Sequence, residues 1–231
     1  MLSKVLRLRL SVMSRVFSTA LFVSLAVVSA SAQTSVPPNQ VSQFRDTSML
    51  IPPAGSKVAI IEWEDLECPA CAHAFPFIHM AIDHYKIPLV RHDFLIPGHM
   101  WSREAAIYAR YMQDKISPDL ATEYRREVFA SQFKIASKDD LNRFTQEFVT
   151  KHGKQLPFVI DPTGELAREV NADHALGEKL GLHETPTIIV VTPRGWIQVK
   201  DVSDLYQAID QAEAMVATAP TPAAHHTVAK K

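Results

Sequence analysis

The sequence has few cysteines and almost no net charge, and both shortages limit what the protein can be. Its 231 residues include only two cysteines, which excludes a scaffold of several disulfides and a four-cysteine zinc site. The formal net charge of −1 gives no sign of nucleic-acid binding. Hydrophobic residues make up 47% and charged residues 21%, which excludes wholesale disorder, collagen and a multispan membrane protein.

The first 32 residues have the three parts of a secretory signal peptide. A basic start is followed by an apolar run over residues 16–28, which is shorter than the roughly 20 residues of a comfortable membrane span. Ala30-Ser31-Ala32 then matches a small-x-small cleavage site, so we expect cleavage after Ala32. The alternative is an uncleaved N-terminal anchor. Cleavage implies a periplasmic or otherwise exported protein, in an oxidising compartment where a disulfide persists.

The rest of the chain divides into an arm, a domain and a tail. Residues 33–56 contain several prolines and are expected to form an N-terminal arm with a short element around residues 41–50. Residues 218–231, rich in Ala, Thr and Pro, are expected to form a flexible tail. Residues 57–217 alternate strand and helix patterns and are predicted to form a single α/β domain.

Hydrophobic spacing and capping residues predict the elements of this domain. Asp161 is expected to cap a helix with Pro162 as its first residue, and Gly181 to end that helix. Ser203 is expected to cap the last helix. The predicted strands cover residues 57–63 and 88–96 and a hairpin over 187–202; the predicted helices cover 69–85, 101–113, 118–130, 138–152, 161–180 and 204–217. This order indicates an α/β sheet with a helical insertion, about residues 101–152, in one crossover.

The two cysteines lie in the sequence Cys68-Pro69-Ala70-Cys71, where a buried strand leads into a helix. Unpaired N–H groups and the positive end of the helix dipole stabilise an anion there, so the pKa of Cys68 is expected below the roughly 8.5 of a free cysteine. Pro69 loses no hydrogen bond at the first helical position. Cys71, one turn further, is close enough to form a disulfide. The pattern predicts Cys68 as the exchanging sulfur and Cys71 as the resolving one.

Two other uses of the cysteines are weaker. A purely structural disulfide around a two-residue loop restrains the unfolded chain little. Half of a zinc site would need a second ligand pair, and the nearby histidines lack the required spacing: His73, His79, His84, His92 and His99. We therefore expect neither a metal nor a cofactor.

These motifs make the sequence resemble the exported DsbA-like thiol-disulfide oxidoreductases of the thioredoxin superfamily. Besides the cysteine pair, Glu62 lies where the family often carries a buried acid, and Pro76 lies where thioredoxins kink the active-site helix. Thr185-Pro186 matches the cis-proline that opens a late strand. The resemblance covers roughly residues 57–217 and implies a thioredoxin-like fold with a helical insertion.

The resemblance also implies roles for residues around the cysteines. The loop at Pro186 would face the disulfide and keep metal away from the thiols, while the backbone of Thr185 would pair with an extended substrate. Pro69 and Ala70 would contact the same substrate. Glu62 would be buried behind Cys71, with a raised pKa, and would move the proton during exchange. The simpler alternatives are that Pro186 only begins a strand and that Glu62 is an exposed strand-end residue.

The Pro69-Ala70 dipeptide departs from the Pro-His of strongly oxidising relatives, because Ala70 cannot help to stabilise a thiolate. Negative charge opposes a second negative charge, and four acidic residues are predicted to crowd the approach to Cys68: Glu62, Glu64, Asp65 and Glu67. We therefore predict a less depressed thiol pKa, and a less oxidising disulfide, than in the strongest oxidants of this family.

Three functions remain open at this point. The first is an exported oxidase that gives its disulfide to cysteine-containing proteins and is recycled by a membrane redox partner. The second is a reductase or isomerase that uses the same residues. DsbC-like isomerases carry an N-terminal dimerisation domain, for which residues 33–57 are too short, so we expect a monomer. The third is a non-catalytic module that binds peptides. Redox direction depends on reduction potential and partner.

Overall fold

The structure is a computed structural model that describes residues 35–36 and 44–217. The predicted signal peptide, its cleavage site, the predicted tail and most of residues 33–43 lie outside the described residues. The described strands are β1 (Ser35–Val36), β2 (Ala59–Glu64), β3 (Leu89–Asp93), β4 (Thr187–Thr192) and β5 (Gly195–Val199). The described α-helices are α1 (Pro69–Tyr85), α2 (Ser102–Lys115), α3 (Pro118–Ser131), α4 (Lys138–Lys151), α5 (Glu165–Leu180) and α6 (Leu205–Ala217).

The five strands form one mixed sheet in the order β1-β5-β4-β2-β3. β2 pairs in parallel with β3 and antiparallel with β4, and β4 pairs antiparallel with β5. A parallel pair needs a long crossover, which α1 provides, whereas the antiparallel β4–β5 pair needs only a short turn. The predicted α/β fold class is confirmed, and its helical insertion is formed by α2, α3 and α4.

The sheet is covered on both faces, which explains why β2 and β4 are buried along their whole lengths. Ile60 packs with residues of α1 and α6 on one face, while Ile61 and Trp63 pack with residues of β3 and α5 on the other. Gly177 of α5 allows close packing there, because a Cβ at this position would lie 2.4 Å from Phe94. A third cluster joins the insertion to the two cysteines.

The start of α5 differs from the prediction. The helix begins at Glu165 and is preceded by Gly164 in a left-handed conformation (φ 69°), so Pro162 is not its first residue and Asp161 is not its adjacent cap. Asp161 nevertheless accepts hydrogen bonds from the N–H groups of Leu166 (3.3 Å) and Ala167 (2.9 Å). The Asp161 carboxylate therefore provides hydrogen-bond acceptors for N–H groups in the first turn of α5, although a short loop separates it from the helix. The predicted end at Gly181 is confirmed (φ 89°).

The start of the last helix also differs. A 3-10 turn, Val202–Asp204, precedes α6, and its cap is Asp201, whose carboxylate accepts from the Ser203 N–H at 2.9 Å. Ser203 is thus the capped residue rather than the cap.

The predicted short element around residues 41–50 is described only over residues 44–50, which contain no helix or strand. Phe44 of this segment packs against Trp196 with ring centroids 5.3 Å apart.

Among residues 35–36 and 44–217, no helix combines the length and the apolar character that crossing a bilayer requires.

Candidate active site

Cys68 lies at the junction of the β2 loop and α1, as the sequence predicts. It is the N-cap residue of α1, with φ −80° and ψ 120°, and Pro69 follows as the first helical residue. Pro69 and Ala70 are exposed. Cys68 is 8% exposed and Cys71 is fully buried, and both are free thiols. Cys68 is therefore the more accessible of the two cysteines.

The surroundings of Cys68 favour its thiolate. A hydrogen bond from the Cys71 thiol, with smaller contributions from the N–H groups of Ala70 and Cys71, lowers the pKa of Cys68 to about 5 against the opposing effect of partial burial. These N–H groups belong to the first turn of α1, which has no intrahelical acceptors for them. This is the stabilisation by a helix N-terminus that the sequence predicts.

Cys71 is in the opposite state. Burial raises its pKa well above that of a free thiol, and the neighbouring Cys68 raises it further. The N–H of Asp65 points at its sulfur at 3.5 Å. At neutral pH the pair therefore holds one thiolate, on Cys68, and one proton, on Cys71. This asymmetry suits one sulfur that exchanges with a partner and one that resolves.

The Thr185-Pro186 loop faces Cys68. The peptide bond between Thr185 and Pro186 is cis. The Cys68 sulfur lies 3.4 Å from the Thr185 carbonyl, to which it donates a hydrogen bond when it is protonated. A groove of about 380 Å³ runs beside this loop, lined among others by Ala70, His73 and Lys200. A larger cavity of about 430 Å³ lies at the other end of the sheet, around Ile87 and Val216, away from the cysteines.

Glu62 is buried, as the resemblance implies. It is 1% exposed, and neither carboxyl oxygen has a hydrogen-bond partner. Burial, together with the nearby charge of Glu64, raises the pKa of Glu62 to about 8. The charge of Glu62 in turn contributes to the raised pKa of Cys71. Glu62 is therefore mostly protonated at neutral pH, and its charge opposes the ionisation of Cys71 when it loses that proton.

A buried ionic network explains why Glu62 shares its nearest cation with a second carboxylate. Arg91 lies opposite Glu62 on the neighbouring strand β3. Its guanidinium is 3.7 Å from the Glu62 carboxylate but 3.3 Å from that of Glu64, and it also contacts the His79 ring at 3.2 Å. The network contains three guanidinium groups and three carboxylates, those of Arg91, Arg110, Arg125, Glu64, Asp93 and Asp173, and His92 adds a hydrogen bond to Asp173. With Glu62 the network has four carboxylates for three guanidinium groups, and Glu62 has the longest ion-pair distance among them.

Sequence analysis missed this network and its arginines. Arg125 is 2% exposed, comes from α3, and binds Glu64 and Asp93. The available signals were Arg91 inside a predicted strand and Arg125 on a predicted helix. Neither signal identifies a partner, because Glu64 and Arg125 are 61 residues apart in the sequence.

The predicted crowding of acids around Cys68 is wrong. Glu64 binds Arg125. Asp65 accepts hydrogen bonds from the Ile96 N–H and the His99 ring, each at 2.8 Å. Glu67 accepts from the N–H groups of Trp101 (2.7 Å) and Ser102 (3.0 Å) at the start of α2. None of the four acids is among the largest effects on the pKa of Cys68.

The predicted direction of the Cys68 pKa nevertheless holds. A value of about 5 is well below that of a free cysteine and above the roughly 3.5 of the most acidic cysteine in such motifs. Ala70, which lies between the two cysteines, has no cationic or hydrogen-bonding side chain that could stabilise the thiolate further.

Comparison with known families identifies the class of protein. The family model described as thioredoxin matches residues 45–211, which include β2, the cysteine pair, the insertion and β4–β5. The chain therefore belongs to the thioredoxin family. Comparison with the sequences of curated proteins gives no match.

Several solved structures of DsbA-type proteins share the fold. The thiol-disulfide exchange protein alpha-DsbA2 from Wolbachia pipientis has 19% identity and a TM-score of 0.52, over 69% of this chain and 84% of its own. ScsC from Proteus mirabilis has 14% identity and a TM-score of 0.56, over 71% of each chain. DsbA2 from Pseudomonas aeruginosa has 18% identity and a TM-score of 0.52, over 70% and 91%. At these identities the similarity establishes the fold.

Proposed function

We propose that the protein is an exported thiol-disulfide oxidoreductase that oxidises or exchanges disulfides in cysteine-containing, folding proteins through a Cys68/Cys71 cycle. The observation that carries the proposal is the contrast between the two sulfurs: the pKa of Cys68 is lowered to about 5 and that of the buried Cys71 is raised. The description of the Wolbachia protein as a thiol-disulfide exchange protein supports the same chemistry.

In the oxidising direction, the resting form carries a Cys68–Cys71 disulfide. A substrate thiolate attacks the Cys68 sulfur, the bond to Cys71 breaks, and Cys71 leaves and takes up a proton. The second substrate thiolate then attacks the substrate sulfur of the mixed disulfide, and Cys68 leaves as a thiolate. The substrate gains a disulfide and the enzyme keeps two electrons. The low pKa of Cys68 makes it a good leaving group in this second step.

Glu62 supplies the proton that Cys71 needs. Its pKa of about 8 keeps it protonated at neutral pH, and its carboxyl has no hydrogen-bond partner that would hold the proton in place. A buried thiolate at Cys71 is costly because burial penalises charge, so a nearby proton donor favours its departure from the disulfide. In the reverse direction Glu62 accepts the proton of Cys71 as that sulfur attacks.

The substrate lies along the Thr185-Pro186 loop. The Thr185 carbonyl is within 3.4 Å of the Cys68 sulfur, so a strand that pairs with this backbone brings its own cysteine to Cys68. Pro69 and Ala70 are exposed next to Cys68, and Ala70 lines the same groove as Thr185 and Pro186, so both are available to contact the substrate. The half-buried position of Pro186 suits this role better than that of a simple strand start.

Oxidation is the favoured direction. Stabilising the Cys68 thiolate stabilises the reduced enzyme, so the oxidised enzyme tends to pass its disulfide on. A membrane redox partner would then recycle a periplasmic, monomeric enzyme. The alternatives are a reductase or isomerase with the same site, and a peptide-binding module in which the cysteines take no part.

A trapping experiment tests the proposal. The Cys71→Ala variant should accumulate mixed disulfides with substrate proteins on Cys68, because the resolving thiol is missing. The Cys68→Ser/Cys71→Ala variant is the matched control and should trap none. Equilibration of the wild type with glutathione then gives the reduction potential. A Cys71→Ala protein that forms no mixed disulfide, with peptide binding unaffected by Cys68→Ser, would favour the non-catalytic module.

A further inference from the structure

We propose that Gln132 is a positioning residue that acts on Cys68 from the helical insertion; the inference rests on the proposed function. Gln132 follows α3 as the first residue of the 3-10 turn Gln132–Lys134. Its side-chain amide nitrogen donates two hydrogen bonds to backbone carbonyls of the active-site loop, that of Leu66 at 2.8 Å and that of Cys68 at 3.1 Å. The half-buried side chain of Gln132 is thus hydrogen-bonded to the loop on both sides of Glu67.

The Cys68 carbonyl is a sensitive place for such a contact. It also accepts the N–H of Ala72 at 3.1 Å, the bond that starts α1, while the Cys68 N–H donates to the Asp65 carbonyl at 3.0 Å. By accepting from Ala72 the Cys68 carbonyl closes the first turn of α1, which also contains the N–H groups of Ala70 and Cys71. Because those two groups lower the pKa of Cys68, a residue that holds the Cys68 carbonyl also holds the thiolate environment.

The other contacts between loop and insertion act elsewhere. Glu67 accepts from the N–H groups of Trp101 and Ser102, which fixes a side chain rather than the Cys68 backbone. Among the described residues, Gln132 is the side chain that hydrogen-bonds the Cys68 carbonyl. The insertion is therefore hydrogen-bonded directly to the backbone of the residue that carries the exchanging sulfur.

The test is the pKa of Cys68 in the reduced Gln132→Met protein, measured from the ultraviolet absorbance of the thiolate against pH. Methionine keeps the size and removes both donors. We expect the pKa to rise by about half a unit to one unit, which lowers the thiolate fraction below the pKa by about three- to tenfold. Gln146→Met, on the exposed face of α4, is the matched control and should leave the pKa unchanged.

A merely structural role gives a different result. It lowers the melting temperature of Gln132→Met and leaves the pKa of Cys68 at its wild-type value, which would overturn the proposal. The milder Gln132→Asn variant, whose amide is too short to reach both carbonyls, serves if the methionine variant does not fold, and an unchanged pKa there has the same meaning. The titration needs no substrate, so it is independent of whether the protein exchanges disulfides with clients.

Discussion

The sheet domain and the helical insertion contribute different things to one site. The sheet domain provides the reacting groups: Cys68, Cys71, Glu62 and the Thr185-Pro186 loop. The insertion provides partners for the groups around them, such as Arg125 for Glu64, the N–H groups of α2 for Glu67, and Gln132 for the Cys68 carbonyl. The reacting groups thus belong to the sheet domain, and their electrostatic setting depends on the helical insertion.

The largest expected effect tests the contribution of the insertion. Arg125→Met removes the buried guanidinium that Glu64 and Asp93 share. Each carboxylate then keeps one cation, Arg91 for the first and Arg110 for the second. Because one partner of a buried ionic network is lost, we expect a loss of about 3–5 kcal/mol in the free energy of unfolding, measured with urea. Arg126→Met is the control on the same helix, because Arg126 is 57% exposed and pairs with Glu123 at the surface. An exposed pair contributes about 1 kcal/mol or less. Equal losses in the two variants would show that the buried network adds nothing.

The next effect concerns the sheet domain and depends on pH. Burial raises the pKa of folded Glu62 to about 8 from an ordinary value of 4.5. Folded protein therefore keeps the Glu62 proton while unfolded chain releases it, and stability from this group is complete below about pH 4.5 and falls as pH rises toward about 8. Glu62→Gln has no proton to lose. We expect it to be more stable than wild type at pH 8, by about 2–4 kcal/mol, with little difference near pH 4.

Urea unfolding of both proteins at several pH values measures this difference. Glu147→Gln, on the exposed face of α4, is the control and should follow the wild type throughout. A Glu62→Gln protein whose stability relative to wild type does not change with pH would contradict a protonated Glu62.

The smallest expected effect is a change in the pKa of Cys68, the exchanging cysteine of the sheet domain. Ala70→His places a cationic side chain in the exposed first turn of α1, so we expect the pKa of Cys68 to fall by up to about one unit from its present value near 5. Ala70→Gln, which adds size without charge, should lower it less. Thiolate absorbance gives both values. An unchanged pKa in Ala70→His would mean that backbone N–H groups and Cys71 already set the ionisation of Cys68.

Local signals explain what could be predicted. The limits of α1 follow from Pro69 at its start and from helical spacing up to Tyr85, and the predicted and observed helix agree. The three insertion helices agree to within about two residues for the same reason. The start of α5 was missed because Asp161 binds N–H groups five and six residues away, across a turn that propensity alone does not reveal.

The order of residues by itself determined the cysteine pair, its position between a buried strand and a helix, and the α/β alternation, because each depends on neighbours within one or two turns. Only the tertiary structure decided which acids are neutralised and which one keeps its proton. Glu62 and Glu64 are two residues apart on the same strand, yet one has no hydrogen-bond partner and the other binds an arginine 61 residues further on. Such a choice is made by packing, since Coulomb energies in a buried site depend on distance in space and on exclusion of water.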